Sequence, residues 1–109
     1  MKTEFQATRV TVYVGETDRT GGKPLYSAIV ELLHAEGIAG ASATRGMLGY
    51  GASGRTHSAH LLDVSEDLPV TIVFVDTPEK VESVMAKLDG LIESGLVVTE
   101  SVQAARYAK

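Results

Sequence analysis

The spacing of apolar and polar positions changes several times along the chain, and each spacing predicts one element. Arg9-Val10-Thr11-Val12-Tyr13-Val14 alternates, with the valines on one face and Arg9, Thr11 and Tyr13 on the other. That is the repeat of a half-buried strand. Gly15 to Lys23 reads as a loop, and Pro24 suits the first position of a helix, where its missing N–H costs nothing. Leu25, Ala28, Ile29, Leu32 and Leu33 then form one apolar stripe at helical spacing, and Gly37 is placed to end it in the left-handed conformation. Burying a large side chain of such a stripe contributes roughly 1.5–3 kcal/mol, so this helix is expected to pack on the first strand.

Gly40 to about Leu48 predicts a second strand, weakened or bulged at Gly46. From Gly49 to Leu68 no clean period is present. Val70-Thr71-Ile72-Val73-Phe74-Val75 is a nearly continuous apolar run rich in β-branched residues and predicts a central strand. A second helix starts with Thr77 as N-cap, Pro78 at the first helical position and Glu79 facing the positive end of the dipole. The reciprocal capping box is absent, because Lys80 holds its place. Val81, Val84, Met85, Leu88 and Ile92 form the second stripe, Gly95 is expected to close the helix, and Leu96-Val97-Val98-Thr99 begins a last strand. The tail from Gln103 to Lys109 is expected to be ordered only where something holds it.

The predicted order is strand, helix, strand, long connection, strand, helix, strand, which makes two βαβ halves. It predicts an α+β, ferredoxin-like βαββαβ sandwich with a long loop between strands 2 and 3. With 109 residues, the chain is expected to form one domain over residues 1–109.

Composition narrows the function classes. The chain has no cysteine, which removes disulfides, thiolate metal sites and cysteine nucleophiles and fits a reducing compartment. The first residues, Met1-Lys2-Thr3-Glu4-Phe5, carry an acid and lead into no long apolar stretch, so neither a signal peptide nor membrane insertion is expected, and the expected location is cytoplasmic. A net charge of −4 and the lack of a basic stripe argue against nucleic acid as a partner. A small anion remains compatible, since a local cluster acts over a few ångströms whatever the total charge.

Candidate chemistry gathers in the connection. A hairpin loop normally spans about 2–5 residues, far fewer than separate Gly49 from Leu68, and long loops in compact domains usually carry function. Gly49-Tyr50-Gly51-Ala52-Ser53-Gly54 matches G-x-G-x-x-G. A dinucleotide fold is excluded, because Arg55-Thr56-His57-Ser58 follows where a helix is required and the chain is too short for the further strands. Two readings remain. The glycines serve a turn or bulge, or Gly49, Tyr50, Gly51, Gly54, Arg55 and His57, with Arg45, form an anion site in which backbone N–H groups and arginines hold the ligand.

Other motifs carry less. Gly21-Gly22-Lys23 lacks two required positions of a phosphate loop, where Thr17 and Pro24 stand. Gly51-Ala52-Ser53-Gly54 lacks the last glycine of a nucleophile elbow, a place held by Arg55. On an extended segment His57 and His60 would point to opposite faces and make no natural metal pair, whereas on a helical turn they would converge, and no metal site is expected from them. No nucleophile and base pair up in the pattern, and the chain is expected not to be an enzyme. His34 reads as a partly covered surface residue. Glu16, Asp18 and Arg19 read as a solvated turn or a contact with a neighbouring subunit, and Glu66 and Asp67 as a loop cap before the central strand.

Several stretches together carry a family likeness: Arg9-Val10-Thr11-Val12-Tyr13-Val14-Gly15-Glu16, Gly22-Lys23-Pro24-Leu25-Tyr26, Gly37-Ile38-Ala39-Gly40-Ala41 and Arg45-Gly46-Met47-Leu48-Gly49-Tyr50-Gly51-Ala52. With Leu61-Leu62-Asp63 and Ser65-Glu66-Asp67-Leu68-Pro69-Val70 they cover most of the chain. The sequence resembles the PII-like family catalogued as domain of unknown function 190, related to the PII nitrogen regulators. The resemblance implies a homotrimer, a signalling role, an adenine nucleotide at the clefts between subunits, and a middle loop that docks on a membrane transporter or channel or on a metabolic enzyme. Gly49-Tyr50-Gly51 matches the Gly-aromatic-Gly of the PII loop base, and Arg55 supplies a nearby base. Ala52 stands where PII proteins place an arginine, and Glu93-Ser94-Gly95 is short and acidic where they carry a phosphate-gripping loop, so that half of the site does not carry over. The expected function is a regulatory protein that binds a small, anionic ligand and acts through residues 49–68. The alternatives are an interaction module that needs no ligand, and an enzyme acting on a small anionic substrate.

Overall fold

The computed structural model describes residues 1–51 and 67–109. Strand β1 (Lys2–Gly15) leads into two short strands, β2 (Arg19–Thr20) and β3 (Lys23–Pro24), then helix α1 (Leu25–Ala35) and strand β4 (Ala41–Arg45). After the connection come strand β5 (Pro69–Asp76), helix α2 (Pro78–Leu88) and strand β6 (Leu96–Tyr107). The main sheet has the order β4-β5-β1-β6 with every neighbour antiparallel, which is the ferredoxin-like arrangement that the element order predicts.

The core forms where the alternating face of β1 meets that of β5. Val10, Val12 and Val14 stand opposite Phe74, Ile72 and Val70. Leu25, Ile29 and Leu33 of α1 and Val81, Val84 and Leu88 of α2 cover them. The other sheet face has no helix among the described residues. It carries Thr11, Tyr13, Val73, Val75 and Val98, of which Tyr13 and Val98 are 42% and 37% exposed.

Four local expectations are corrected. The stretch from Gly15 to Lys23 is more than a loop, since β2 and β3 pair there, and Pro24 lies opposite Arg19. This pairing keeps Pro24 extended, with ψ at 133°, so the helix starts one residue later, at Leu25. The leading N–H of α1 is satisfied by the chain before it, as Leu25 donates to the Asp18 carbonyl at 2.8 Å. Strand β4 ends at Arg45 rather than near Leu48, because the Gly46 N–H makes the last bond across the pair, to the Pro69 carbonyl at 2.8 Å.

Helix α2 stops at Leu88, well before Gly95. The chain turns there through Leu91 and Ile92, whose N–H groups both donate to the Leu88 carbonyl, at 2.9 and 3.1 Å. Leu91 and Ile92 still pack on the core, but from a turn. The start of α2 is as expected: the Thr77 hydroxyl accepts from the Lys80 N–H at 3.3 Å, with Pro78 following. The end of α1 is also as expected. Gly37 has a φ of 80°, its N–H donates to His34 and that of Ile38 to Leu33, the pairing of a Schellman motif.

The tail is ordered because β1 holds it. Pairing runs without a break from Tyr13↔Leu96 to Lys2↔Tyr107, whereas β5 reaches only as far as Thr8. Lys2–Ala7 and Val102–Tyr107 therefore form a two-strand ribbon that extends past the sheet, and the molecule measures 51 × 26 × 23 Å. Arg106 stacks over Phe5 at 5.0 Å. Arg9 donates to both carboxylate oxygens of Glu100, at 3.1 and 3.2 Å. This hydrogen bonding, and then the charge of Arg9, holds the Glu100 carboxyl below the usual carboxylate range.

One buried carboxylate joins the two helix-bearing halves. Asp76 is 2% exposed and accepts from Ala39 N–H at 3.0 Å and from Thr77 N–H at 2.8 Å. Asp76→Ala leaves both donors without that partner. The expected cost is about 1–3 kcal/mol, read as a lower denaturation midpoint at unchanged slope. An effect below about 0.5 kcal/mol would show that water replaces the carboxylate there.

Candidate functional site

The end of the sheet nearest the long connection is shaped by one tight turn, Gly15 to Asp18. The Asp18 carboxylate accepts from the Gly15 N–H at 2.8 Å, which folds the turn on itself. Glu16 N–H donates to the Leu68 carbonyl at 2.9 Å, and Thr17 N–H donates to Asp67 Oδ1 at 3.2 Å. The chain leaving β1 is thus tied to the chain entering β5.

Beside this turn lies a cleft of about 230 Å³. Tyr13 and Leu96, a cross-strand pair, line it together with Tyr50 and Pro69. Asp18, Asp67, Ser94 and Gly95 line it as well. Gly95 is required by geometry. Its φ is 153°, and a Cβ at that position would lie 2.7 Å from the Tyr13 carbonyl oxygen. Flat aromatic and apolar walls suit a planar group, and the carboxylates and backbone oxygens offer acceptors to it.

The residues expected at the site divide into three groups. Tyr50 and Gly51 line the cleft, and Gly49 lies beside them, close enough to Pro69 that a Cβ would come within 3.2 Å of its ring. Arg45 is not among the lining residues. It donates to Glu16 at 2.7 Å, and that bond, followed by the charge of Glu16, raises the affinity of its guanidinium for the proton. Gly54, Arg55 and His57 lie outside the described residues.

Sequence reasoning missed Tyr13, Asp18, Asp67, Gly95 and Leu96 as cleft residues. Alternation did place Tyr13 on the face away from the core, and Gly95 stood out, though as a helix stop. Nothing local marked Asp67 as a partner of Thr17, since fifty residues separate them in sequence. The described lining residues include no lysine or arginine.

A four-strand antiparallel sheet with two helices on one face, and a long connection between its second and third main strands, defines a PII-like fold. The chain is similar to CPII from Thiomonas intermedia K12, a structure bound to ADP and bicarbonate, with a TM-score of 0.67, 19% identity and coverage of 95% of this chain and 93% of that one. It is also similar to B. subtilis GlnK in its ATP complex, with a TM-score of 0.59, 11% identity and coverage of 89% and 82%. Residues 7–104 match the family model DUF190, described as an uncharacterised ACR, and the chain belongs to that family. One relative is the UPF0166 protein MJ1524 of Methanocaldococcus jannaschii, 34% identical over 95 residues, which are 86% of this chain and 87% of the relative. No described helix is long and apolar enough to cross a membrane.

Proposed function

We propose that this chain is a regulatory protein and not an enzyme, a homotrimer that takes a small ligand in the cleft at the base of residues 49–68 and acts on a partner protein through that segment. The observation that carries this reading is the cleft itself. Tyr50 and Gly51, which sequence alone singled out, meet the end of β1 and the start of β6 there. An adenine nucleotide is the ligand we assign. Its base fits walls made of Tyr13, Tyr50 and Leu96, and the fold is shared with proteins whose structures hold ADP or ATP. The charge for the phosphates would come from Arg55 or from a second copy, because the described lining residues are acidic or neutral. The helix-free sheet face, with Tyr13, Leu96 and Val98 exposed, supports self-association. The partner we favour is a membrane transporter or channel, or a metabolic enzyme, met in the cytoplasm.

Thermal unfolding with ADP, ATP, AMP or bicarbonate tests the ligand. At about 100 times its Kd a ligand adds roughly 2.7 kcal/mol, which raises Tm by several degrees in a domain of this size. The rise should vanish in Tyr50→Ala and in Arg55→Ala. If no nucleotide or anion moves Tm, the ligand reading fails, and an interaction module that works without a ligand takes its place. The acidic lining of the cleft is the observation that favours this second reading.

A further inference from the structure

Both ends of the connection between β4 and β5 hang on one residue. The Glu16 carboxylate accepts from Arg45, the last residue of β4, at 2.7 Å. The Glu16 N–H donates to Leu68, the residue before β5, at 2.9 Å. Its neighbour Thr17 adds the bond to Asp67 at 3.2 Å. The turn has little freedom of its own, because Asp18 fastens it at both ends: its carboxylate accepts from Gly15 and its carbonyl accepts from Leu25, each at 2.8 Å.

The same turn borders the cleft. Asp18 and Asp67 are both lining residues, and their carboxylates lie close to Gly15. A Cβ on Gly15 would stand 2.9 Å from Asp67 Oδ1 and 3.3 Å from Asp18 Oδ1. A side chain at position 15 would therefore displace these carboxylates. A group that enters the cleft and engages Asp67 acts on the same carboxylate that accepts from the Thr17 N–H.

We propose that the turn Gly15–Asp18 couples the cleft to the two stems of the connection, with Asp67 as the input and Glu16, through Arg45 and Leu68, as the output. This rests on the reading of the cleft as a ligand site. Coupling of binding free energies is reciprocal, so breaking the output must also change affinity at the cleft. The expected size is modest. Solvent screens an exposed ion pair, so the expected change is a factor of roughly 1.5–5.

The test uses the whole chain and a ligand-free and a ligand-bound readout. Amide hydrogen exchange is followed at Glu16, Thr17 and Gly46 in Arg45→Gln, Asp67→Ala and the double variant. Each single change should speed exchange at Gly46 and Glu16 by about two- to five-fold, while Ile38 and Val81 keep their rates. The double variant should show less than the product of the two, as coupled sites do. Exchanging the charges, Glu16→Arg with Arg45→Glu, should restore slow exchange. Effects that multiply independently, or an Asp67→Ala change that leaves Gly46 untouched, overturn the coupling. ADP titration separates the two claims. If ADP binds the natural chain and Arg45→Gln leaves its Kd unchanged, the coupling is wrong and the ligand reading stands. If ADP does not bind, the ligand reading fails there, and the exchange cycle alone decides whether Asp67 and Arg45 communicate.

Discussion

Replacing Phe74 by alanine should lower stability by about 3–5 kcal/mol, the largest loss expected from any single truncation in this chain. Phe74 is 1% exposed and lies in the central strand, with Val10 opposite it on one side and Ala41 on the other. Both neighbours are small, so neither can swing into the vacated space, and most of the cavity should persist. Single domains are stable by roughly 5–15 kcal/mol. The variant is therefore expected to populate unfolded chain at moderate heat. Denaturant titration at a fixed chain concentration measures the effect as a lower midpoint with the slope retained. Val73→Ala is the comparison. Val73 belongs to the helix-free face, and in an isolated chain its loss should cost much less. A loss at Val73 equal to that at Phe74 would mean that a second copy covers this face in solution.

The second large effect is expected at Gly95. Alanine there would have to keep a φ of 153° and place its Cβ 2.7 Å from the Tyr13 carbonyl oxygen and 3.2 Å from Val14 Cγ1. The oxygen belongs to the backbone of β1, which is paired on both sides, and cannot yield cheaply. The start of β6 must move instead, which disturbs the Tyr13↔Leu96 pair. Strain of this kind costs roughly 1–3 kcal/mol, and the lost pairing adds to it. The same movement shifts the cleft wall, so a nucleotide that binds the natural chain should bind folded Gly95→Ala more weakly. Gly51→Ala supplies the control, because a Cβ at Gly51 meets nothing within 4 Å. It should alter stability by less than about 0.5 kcal/mol. Equal losses at the two glycines would show that the approach of Gly95 to Tyr13 is relieved without cost.

These two positions show how unevenly the chain announces itself. Phe74 could be placed in the core from its own neighbours, since an apolar β-branched run of that length has few other destinations. Gly95 was conspicuous, yet its meaning was misread. Locally it looks like the end of a helix stripe that includes Ile92. In the structure α2 stops at Leu88 and Ile92 reaches the core from a turn. Pro24 was misread in the same way: its role follows from the pairing of Arg19–Thr20 with Lys23–Pro24, which no helical pattern reveals.

The sequence by itself determined the four main strands and two helices, their order, and the buried side of β1 and of both helices. Those properties depend on the period of side chains a few residues apart, and the burial of Val10, Val12, Val14, Leu25, Ile29 and Leu33 follows it. It also marked Gly49-Tyr50-Gly51 as the base of a site. Only the tertiary structure decided what faces that base. Tyr13, Asp18, Asp67 and Leu96 come together because β5 and β6 flank β1, and because Glu16 and Thr17 bind Leu68 and Asp67 across the sheet end. The tail was decided there as well, since Gln103–Tyr107 is a strand only because Lys2–Gln6 lies beside it. Contacts of this kind link residues far apart in sequence, where no local period exists to report them.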